Sequence, residues 1–403
     1  MNVFIIPSWY PSDSNPLNGI FIREQVIWMA EKYREINFGI SVWGQNHEPY
    51  LLRGSQPFTS VTKMFSTRKS FVRRLENNVW EFHSQVFSFS SRINKGNITN
   101  KVKACKTHLL QFERNIGKAN LIHSHVTYPG GYIAQSLSKE FKIPYIITEH
   151  FSPFPSKYDV NRKGLKHHVR EALMYADELI AVSNSTKNQI ESCGIKRSIR
   201  VLPNFIRSRK SNPLKRASTK KFTFITVCGL HKNKGLLEFL EAIHKATLID
   251  QNLSFILVGD GPDKKLIEKK IYQLGIQSFI NLTGQLSREE TLDQYQKANA
   301  HILTSYSESF GVVYLEAMRA GLPSIAISSG GPLDIIDGRT GILIKRISAN
   351  EISKSILWLK RNIKEFTKEE IMGVFESKFS VTAVAPQVHK VYQEVILNSK
   401  EKN

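Results

Sequence analysis

Short apolar runs alternate with amphipathic stretches over the first half of the chain. The apolar runs predict buried strands at Val3–Trp9, Ile40–Trp43, Leu121–Val126, Pro144–Thr148, Glu178–Val182 and Ile199–Leu202. The amphipathic stretches between them predict helices at Phe21–Lys32, Tyr132–Glu140 and Leu165–Tyr175. This alternation is typical of parallel strands joined by helical crossovers, and it predicts a doubly wound α/β layer.

A polar, basic segment, Arg207–Lys221, then interrupts the pattern, as a linker would. Beyond it the alternation restarts. Strands are predicted at Phe222–Cys228, Leu253–Val258, Phe279–Leu282, His301–Thr304, Pro323–Ile327 and Gly341–Ile344. Helices are predicted at Leu236–Thr247, Lys264–Leu274, Glu289–Lys297 and Val312–Arg319.

The chain therefore divides into two Rossmann-like α/β domains, which we expect to face each other across a cleft. The predicted ranges are 1–206 for the first domain, 207–221 for the linker, 222–379 for the second domain and 380–403 for an amphipathic C-terminal helix. Residues 46–98 are predicted to form a basic, partly helical insertion. Because ligands of open α/β sheets bind beyond the carboxyl ends of the strands, we expect the ligand in the cleft.

The charge is strongly basic, with 56 Lys and Arg against 35 Asp and Glu, a formal net charge of +21. Such an excess favours polyanionic partners, although a generally lysine-rich composition explains it too. The three cysteines, Cys105, Cys193 and Cys228, are far apart, so neither a disulfide framework nor a metal knot is expected. No apolar run approaches the roughly 18 residues of a membrane span, and the N-terminus lacks a signal-peptide pattern, so a cytoplasmic location is expected.

The segment from Ser305 to Gly321 carries the most informative motif. It follows a predicted strand and leads into a helix, with Glu308 before the helix, Gly311 at its start and Glu316 in its second turn. The first amides of such a helix are unpaired and positively polarised, which suits a diphosphate. Each acid alone is better explained as a helix-end or surface charge, but the whole strand–Glu–Gly–helix–Glu arrangement predicts a ligand site. The amides expected at this end belong to Phe310, Gly311, Val312 and Val313.

Four weaker patterns lie at other predicted strand ends. Cys228–Gly235 offers glycines and lysines that suit phosphate, although a solvated basic turn is an equal alternative. Gly259–Pro262 is best explained as a structural turn. His123 and His125 leave one strand on the same face, with Thr148, Glu149 and His150 ending the next, and a metal site is not expected there. Gly19 precedes a helix and offers amides to a phosphate.

Taken in order, these segments resemble the family 4, or group 1, retaining glycosyltransferases of the two-domain GT-B fold. The resemblance covers nearly the whole chain and includes Pro16–Gln25, His123–His125, Val182–Ser185, Val201–Asn204, Lys234–Gly235, Val258–Pro262, Asn281–Gly284, Glu308–Glu316, Pro323 and Gly330–Pro332. The N-terminal half looks most like members that build capsular, exopolysaccharide or lipopolysaccharide chains. The resemblance implies a hexosyltransferase without a metal or other cofactor, with a nucleotide-diphosphate-sugar donor and a glycan or lipid-linked acceptor.

The resemblance also implies roles for individual residues. As catalytic residues, Glu308 would contact the donor sugar, Lys234 the leaving diphosphate, and His125 the sugar near the reacting carbon. The donor site would further include Glu316 on the ribose, together with Gly19, Gly229, His231, Gly284, Phe310, Gly311, Val312 and Val313. His123, Glu149 and His150 are the candidates on the acceptor side. Family members often carry an arginine where this chain has Gly229, and His231 or Lys232 is the expected substitute.

Two other functions fit parts of the sequence. A sugar-nucleotide epimerase of the same fold would act on the donor without an acceptor. A basic nucleic-acid-binding protein would explain the charge, but no recognition helix, zinc knuckle or aromatic RNA platform is present, so no nucleic acid is expected. The basic insertion, Arg68–Arg74 especially, is predicted to dock on an anionic inner membrane surface, with a solvated basic face as the alternative.

Overall fold

The computed structural model describes residues 1–12, 15–45, 70–86, 94–156, 159–162, 164–208 and 221–401. The chain forms two compact units. The first contains residues 1–182, 187–202 and 385–403, and the second contains residues 183–186 and 203–384. Most of the predicted linker, residues 209–220, lies outside the described residues.

The first unit is built on one eight-stranded sheet with the strand order β10-β9-β6-β5-β1-β2-β4-β3. The strands are β1 (Asn2–Pro7), β2 (Asn37–Val42), β3 (Phe71–Glu76), β4 (Val79–His83), β5 (Leu121–His125), β6 (Tyr145–Glu149), β9 (Glu178–Ala181) and β10 (Arg200–Val201). All neighbours are parallel except β3, which pairs antiparallel with β4. A separate short hairpin is formed by β7 (Val160–Asn161) and β8 (Gly164–Leu165).

Helices cover the sheet of the first unit. They are α1 (Ile20–Lys32), α2 (Asn94–Asn115), α3 (Tyr132–Phe141), α4 (His167–Tyr175) and α5 (Asn184–Ser192), of which residues 187–192 belong to this unit, together with a π-helical turn at Thr127–Gly131. The C-terminal helix, α13 (Val381–Glu401), contributes its residues from Ala385 onward to this unit. The central strands β5 and β6 are buried along their whole length, as expected for parallel strands with helices on both faces.

The edge formed by β3 and β4 was not predicted from the sequence. The described part of residues 46–98 includes this hairpin and the beginning of α2, while residues 46–69 and 87–93, with Arg68 and Lys69, lie outside the described residues. β4 pairs parallel with β2 and so extends the main sheet. Its sequence, Val-Trp-Glu-Phe-His, carries the charged Glu81 at the centre, and this charge concealed a strand whose Glu81 and Phe82 are both fully buried.

The second unit has a six-stranded, fully parallel sheet with the order β13-β12-β11-β14-β15-β16. The strands are β11 (Phe222–Val227), β12 (Leu253–Val258), β13 (Ile280–Gly284), β14 (Ala300–Leu303), β15 (Ser324–Ile327) and β16 (Gly341–Ile344). The helices are α6 (Leu236–Ile249), α7 (Lys264–Gln273), α8 (Arg288–Lys297), α9 (Val312–Arg319), α10 (Pro332–Ile335), α11 (Ala349–Arg361) and α12 (Lys368–Lys378).

Each unit thus has the doubly wound α/β architecture that the alternating pattern predicts. In the second unit the chain order reverses between β11, which neighbours β12 on one side, and β14 on the other. Ligands of such sheets bind at the carboxyl ends of the strands next to this reversal. The segments that follow β11 and β14 are Cys228–Gly235 and Thr304–Gly311, which contain the predicted residues Lys234 and Glu308.

Candidate active site

An ion pair joins the two segments that follow β11 and β14. Lys234 Nζ donates a hydrogen bond to Glu308 Oε1 at 2.6 Å, and the two side chains are only 20% and 15% exposed. Gly235 brings the segments together, because a Cβ on this residue would lie 2.3 Å from the carbonyl oxygen of Thr304. Its φ of +62° also favours glycine. The sequence predicted both charged residues, and the structure brings them together in the second unit.

Beyond Glu308, the chain enters α9 through a left-handed glycine. Gly311 has a φ of +96° and is the N-cap residue of α9, with no side-chain cap and no acid in the first turn. The first amides of the helix, including those of Val312 and Val313, therefore form a positively polarised end without a carboxylate of their own. Phe310 is buried and anchors the loop.

The two glycines that precede α10, Gly330 and Gly331, support this loop. The Gly331 amide donates to the Glu308 carbonyl oxygen at 2.8 Å. A Cβ on Gly330 would lie 2.1 Å from that same oxygen, and a Cβ on Gly331 would lie 2.3 Å from the Cα of Phe310. On the other side, the Ser183 hydroxyl donates to the carbonyl oxygen of Ser309 at 2.7 Å. The backbone position of Glu308 is thus fixed by direct packing of one loop on another.

Glu316 lies on α9 and is nearly buried, at 6% exposure. Arg288 donates to its Oε1 at 2.8 Å, and the Tyr295 hydroxyl donates to its Oε2 at 3.2 Å. Both partners belong to α8 and were not predicted from the sequence. They compensate a carboxylate that would be costly to bury alone, and each carboxylate oxygen keeps a further lone pair for a ligand hydroxyl.

Gly229, His231 and Gly284 lie around the turn after β12. The Leu230 amide donates to the Asp260 carbonyl oxygen, and the Gly259 amide donates to the Gly284 carbonyl oxygen. A Cβ on Gly229 would meet His231 Cδ2 at 2.9 Å. The imidazole of His231 therefore occupies the space where a side chain at position 229 would start, whereas Lys232 turns its backbone amide to Asp263.

The remaining predicted residues lie in the first unit, at the carboxyl ends of β5 and β6. His123 is bonded through both ring nitrogens, to the Tyr392 hydroxyl and to Thr148 Oγ1, each at 2.8 Å. His125 Nδ1 pairs with His150 Nε2 at 2.9 Å, and no hydrogen bond of His125 Nε2 is found among the described residues. His125 is therefore the histidine of this strand that has a ring nitrogen available for a ligand.

The pairing also indicates which nitrogen of each imidazole carries the proton. His150 Nδ1 is buried without a partner in the described part of the chain. Leaving a buried N–H unpaired costs more than leaving a lone pair, so His150 is favoured as the tautomer protonated on Nε2. It then donates to His125 Nδ1, which leaves Nε2–H of His125 as a donor toward a ligand.

Both carboxylate oxygens of Glu149 accept hydrogen bonds from neighbouring residues of the chain. One accepts from the amide and hydroxyl of Thr127, and the other accepts from the amides of His150 and Phe151. Burial raises the pKa of Glu149 to about 7, although the hydrogen bonds favour the carboxylate. The bonds from Thr127 hold the end of β6 next to Val126, a β-branched residue at a φ of +72° and hence a strained backbone position.

Gly19 is the left-handed N-cap of α1, with a φ of +67° and no side-chain cap. A Cβ there would lie 2.4 Å from the Trp9 carbonyl oxygen, so the loop between β1 and α1 folds tightly on itself. The ring of Phe21, in the first turn of α1, contacts His150 edge-on at 5.0 Å between centroids. Gly19 and the histidines thus belong to one neighbourhood in the first unit.

Comparison with known proteins decides the family. A family model described as group 1 glycosyl transferases matches residues 206–369, and one described as glycosyltransferase family 4 matches residues 64–210. An uncharacterised glycosyltransferase of Methanocaldococcus jannaschii is 31% identical over 280 residues, which are 68% of this chain and 76% of the relative. The chain belongs to the group 1 glycosyltransferases.

Other comparisons extend over the full length of this glycosyltransferase. A Bacillus subtilis glycosyltransferase, provisionally named for teichuronic acid biosynthesis, is 26% identical over 99% of this chain and 100% of its own. Among solved structures, sucrose-phosphate synthase from Thermosynechococcus elongatus superposes with a TM-score of 0.76 at 17% identity, covering 98% of this chain and 99% of its own. Anabaena HepE in complex with UDP superposes with a TM-score of 0.69 at 15% identity, covering 98% and 100%. These structures establish the GT-B fold.

Within the described residues there is neither a candidate metal site nor a helix that could span a membrane. No three His, Cys, Asp or Glu side chains in that part of the glycosyltransferase are grouped so as to hold a metal ion. None of the helices in the same ranges combines the length and the apolar character that crossing a membrane requires.

The close packing of Gly331 gives a first prediction. Replacing Gly331 with Ala should destabilise the second unit by about 1–3 kcal/mol, because the new methyl group overlaps the backbone of Phe310. Gly338→Ala is the matched control, since nothing lies within 4 Å of a Cβ at that position. Thermal unfolding would measure both variants, and equal midpoints would show that the loop is not fixed by this contact.

The buried histidines give a second prediction. Burial lowers the pKa of His125 to about 3 and lowers those of His123 and His150 as well. An unfolded histidine takes up a proton near pH 6.5 whereas the folded rings stay neutral, so these rings leave the free energy of unfolding unchanged above that pH and lower it as the pH falls below. Between pH 7 and pH 5 each ring should lower the free energy of unfolding by about 2 kcal/mol.

His150→Gln keeps a donor for His125 and removes one titrating ring. The difference in unfolding free energy between pH 7 and pH 5 should therefore shrink by about 2 kcal/mol in this variant. Urea unfolding followed by tryptophan fluorescence reports mainly on the first unit, which holds four of the five tryptophans. An unchanged pH dependence would mean that folding does not lower the pKa of His150.

Proposed function

We propose that this glycosyltransferase is a retaining enzyme that moves a hexose from a nucleotide-diphosphate-sugar donor to a glycan or lipid-linked acceptor in cell-surface polysaccharide, lipopolysaccharide or glycolipid synthesis. The observation that supports this proposal most strongly is the Lys234–Glu308 ion pair beside the uncapped N-terminus of α9. The ion pair and the helix end together offer a cation and polarised amides, which suit a diphosphate, and a carboxylate, which suits the hydroxyls of a sugar. The relative named for teichuronic acid biosynthesis and the HepE complex with UDP support the choice of pathway and donor.

The donor diphosphate is proposed to lie at the N-terminus of α9. The amides of Val312 and Val313 and the ammonium of Lys234 would meet its negative charge, with His231 at the place left open by Gly229. Lys234 would then exchange part of its bond with Glu308 for the phosphate. That exchange frees a Glu308 oxygen for the hydroxyls of the donor sugar.

Glu316 is proposed to hold the ribose. Its carboxylate is fixed in place by Arg288 and Tyr295, and its remaining lone pairs suit two neighbouring hydroxyls. His125, as an Nε2–H donor, is proposed to bond the donor sugar. Among the acceptor-side candidates, His123 and Glu149 hold the strand ends through their own hydrogen bonds, and His150 sets the tautomer of His125.

The proposed reaction breaks the bond between the anomeric carbon and the diphosphate oxygen, and the diphosphate leaves with the electron pair. Lys234 and the helix amides stabilise this developing charge, which is where a fixed electrostatic site accelerates a reaction most. The acceptor hydroxyl forms a new bond to the anomeric carbon on the same face. The proton of that hydroxyl passes to an oxygen of the leaving diphosphate.

Lys234→Met and Glu308→Gln test this assignment. Each should lower the rate of sugar transfer by about 10²-fold or more, because each removes a contact that counts in the transition state. The assay follows product formation with a panel of nucleotide sugars, and NMR of the product gives its anomeric configuration. Labelled donor incubated without acceptor distinguishes transfer from epimerisation.

Lys360→Met is the matched control. Lys360 pairs with Asp250 at 2.6 Å and is 19% exposed, so it resembles Lys234 in geometry and burial while it lies on α11. This variant should keep full activity. Full transfer activity in a folded Glu308→Gln or Lys234→Met variant would refute the proposed roles, and an inverted product would refute retention.

A further inference from the structure

One fully buried carboxylate in the first unit lies beside more cationic side chains than are required to neutralise its charge. Glu81, on β4, has no exposed side-chain surface. Its Oε2 accepts from Arg73 Nε at 2.7 Å and pairs with His83 Nε2 at 2.9 Å. Its Oε1 accepts from the Tyr10 hydroxyl, and Arg23 Nε lies 3.4 Å away. We call these five residues the Glu81 cluster.

Arg23 is the surplus cation of the cluster. Tyr10, Arg73 and His83 already supply both oxygens of Glu81, and they lower its pKa against the effect of burial, which raises it. Arg23 Nε is buried and makes no hydrogen bond in the described part of the chain. Two guanidinium groups therefore share one carboxylate, which leaves a net charge of +1. Buried polar groups are normally hydrogen-bonded, so the incomplete satisfaction of Arg23 Nε requires an explanation.

The cluster is accessible from solvent on one side. The side chains of Arg23 and Arg73 are 29% and 49% exposed, although both are anchored at Glu81. Arg23 lies in α1, the helix that begins at Gly19 without an acid in its first turn. The neighbouring Arg74 donates instead to the carbonyl oxygen of Asn77 and is turned toward Trp80.

The arrangement suits an oxyanion. A guanidinium group offers several N–H donors in one plane, and a carboxylate behind it fixes the orientation of that plane. Arg73 uses Nε and one terminal nitrogen for Glu81, which leaves its other terminal nitrogen unused by this ion pair. Arg23 approaches the other oxygen of the same carboxylate through Nε, 3.4 Å from Oε1, and its side chain is 29% exposed. Two oriented guanidinium groups with a net positive charge form a clamp for a phosphate or a carboxylate.

We propose that the Glu81 cluster binds an anionic group, a phosphate or a carboxylate, carried by the acceptor. This inference rests on the proposed function, because it assigns the acceptor to the first unit, and it narrows the acceptor to acidic glycans or phosphate-bearing lipids and sugars. Glu81 acts as a positioning residue for the two arginines. Arg23 and Arg73 contact the anion.

The test measures anion binding by the full chain separately from donor binding. Inorganic phosphate and glucuronate, with glucose as the neutral control, are titrated against the protein in the presence of saturating UDP, and thermal shift and calorimetry follow binding. Wild type should bind at least one of the two anions, and Arg23→Met should weaken that binding by at least 10-fold. The preferred anion distinguishes a phosphate-bearing acceptor from a uronic acid.

Arg170→Met is the matched control, since Arg170, on α4 in the same unit, donates to the carbonyl oxygens of Cys193 and Gly194. It should bind the anion like wild type. Arg23→Lys keeps the charge and should retain part of the binding, which separates an effect on the site from a failure to fold. The inference is overturned if wild type binds neither anion, or if Arg23→Met and Arg170→Met bind alike. Loss of the UDP signal itself would instead contradict the proposed donor site.

Discussion

The ion pair between Lys234 and Glu308 depends on the strand order of the second sheet. β11 and β14 are far apart in sequence but adjacent in the sheet, so the segments that follow them meet at one edge. At 2.6 Å the two charges satisfy each other in a partly buried place where neither would be stable alone. The backbone packs closely against a neighbouring loop at Gly235, Gly330 and Gly331, and each glycine fixes one of the loops that carry the ion pair.

The same dependence on packing explains which residues could be predicted. Glu308 and Glu316 stand on either side of a glycine at a predicted helix start, so the spacing of the whole segment predicts a helix end suited to a diphosphate. The turn that carries Lys234 is a weaker signal, and the role of Lys234 was implied by the family resemblance. Arg288 and Tyr295 have no such signal. They reach Glu316 only because α8 packs beside α9, and a basic and an aromatic residue on a helix are ordinary surface or core residues in sequence.

In the first unit the hydrophobic pattern predicted some strands and missed others. The buried runs predicted β1, β5, β6 and β9 with errors of one or two residues at their ends. β4 was missed because Glu81 interrupts its apolar pattern, although Tyr10, Arg73 and His83 compensate the buried charge. The histidines were predicted as a group, but their separate functions come from hydrogen bonds: His123 is bonded at both nitrogens, and His125 at one.

The central claim is that Lys234 and the N-terminus of α9 hold the diphosphate of the donor. The most direct measurement is calorimetric binding of UDP and of UMP to wild type and to Lys234→Met. In wild type UDP should bind at least 10-fold more tightly than UMP, because its second phosphate reaches Lys234, and the variant should lose most of that difference. A variant that keeps the full preference for UDP over UMP would contradict the account.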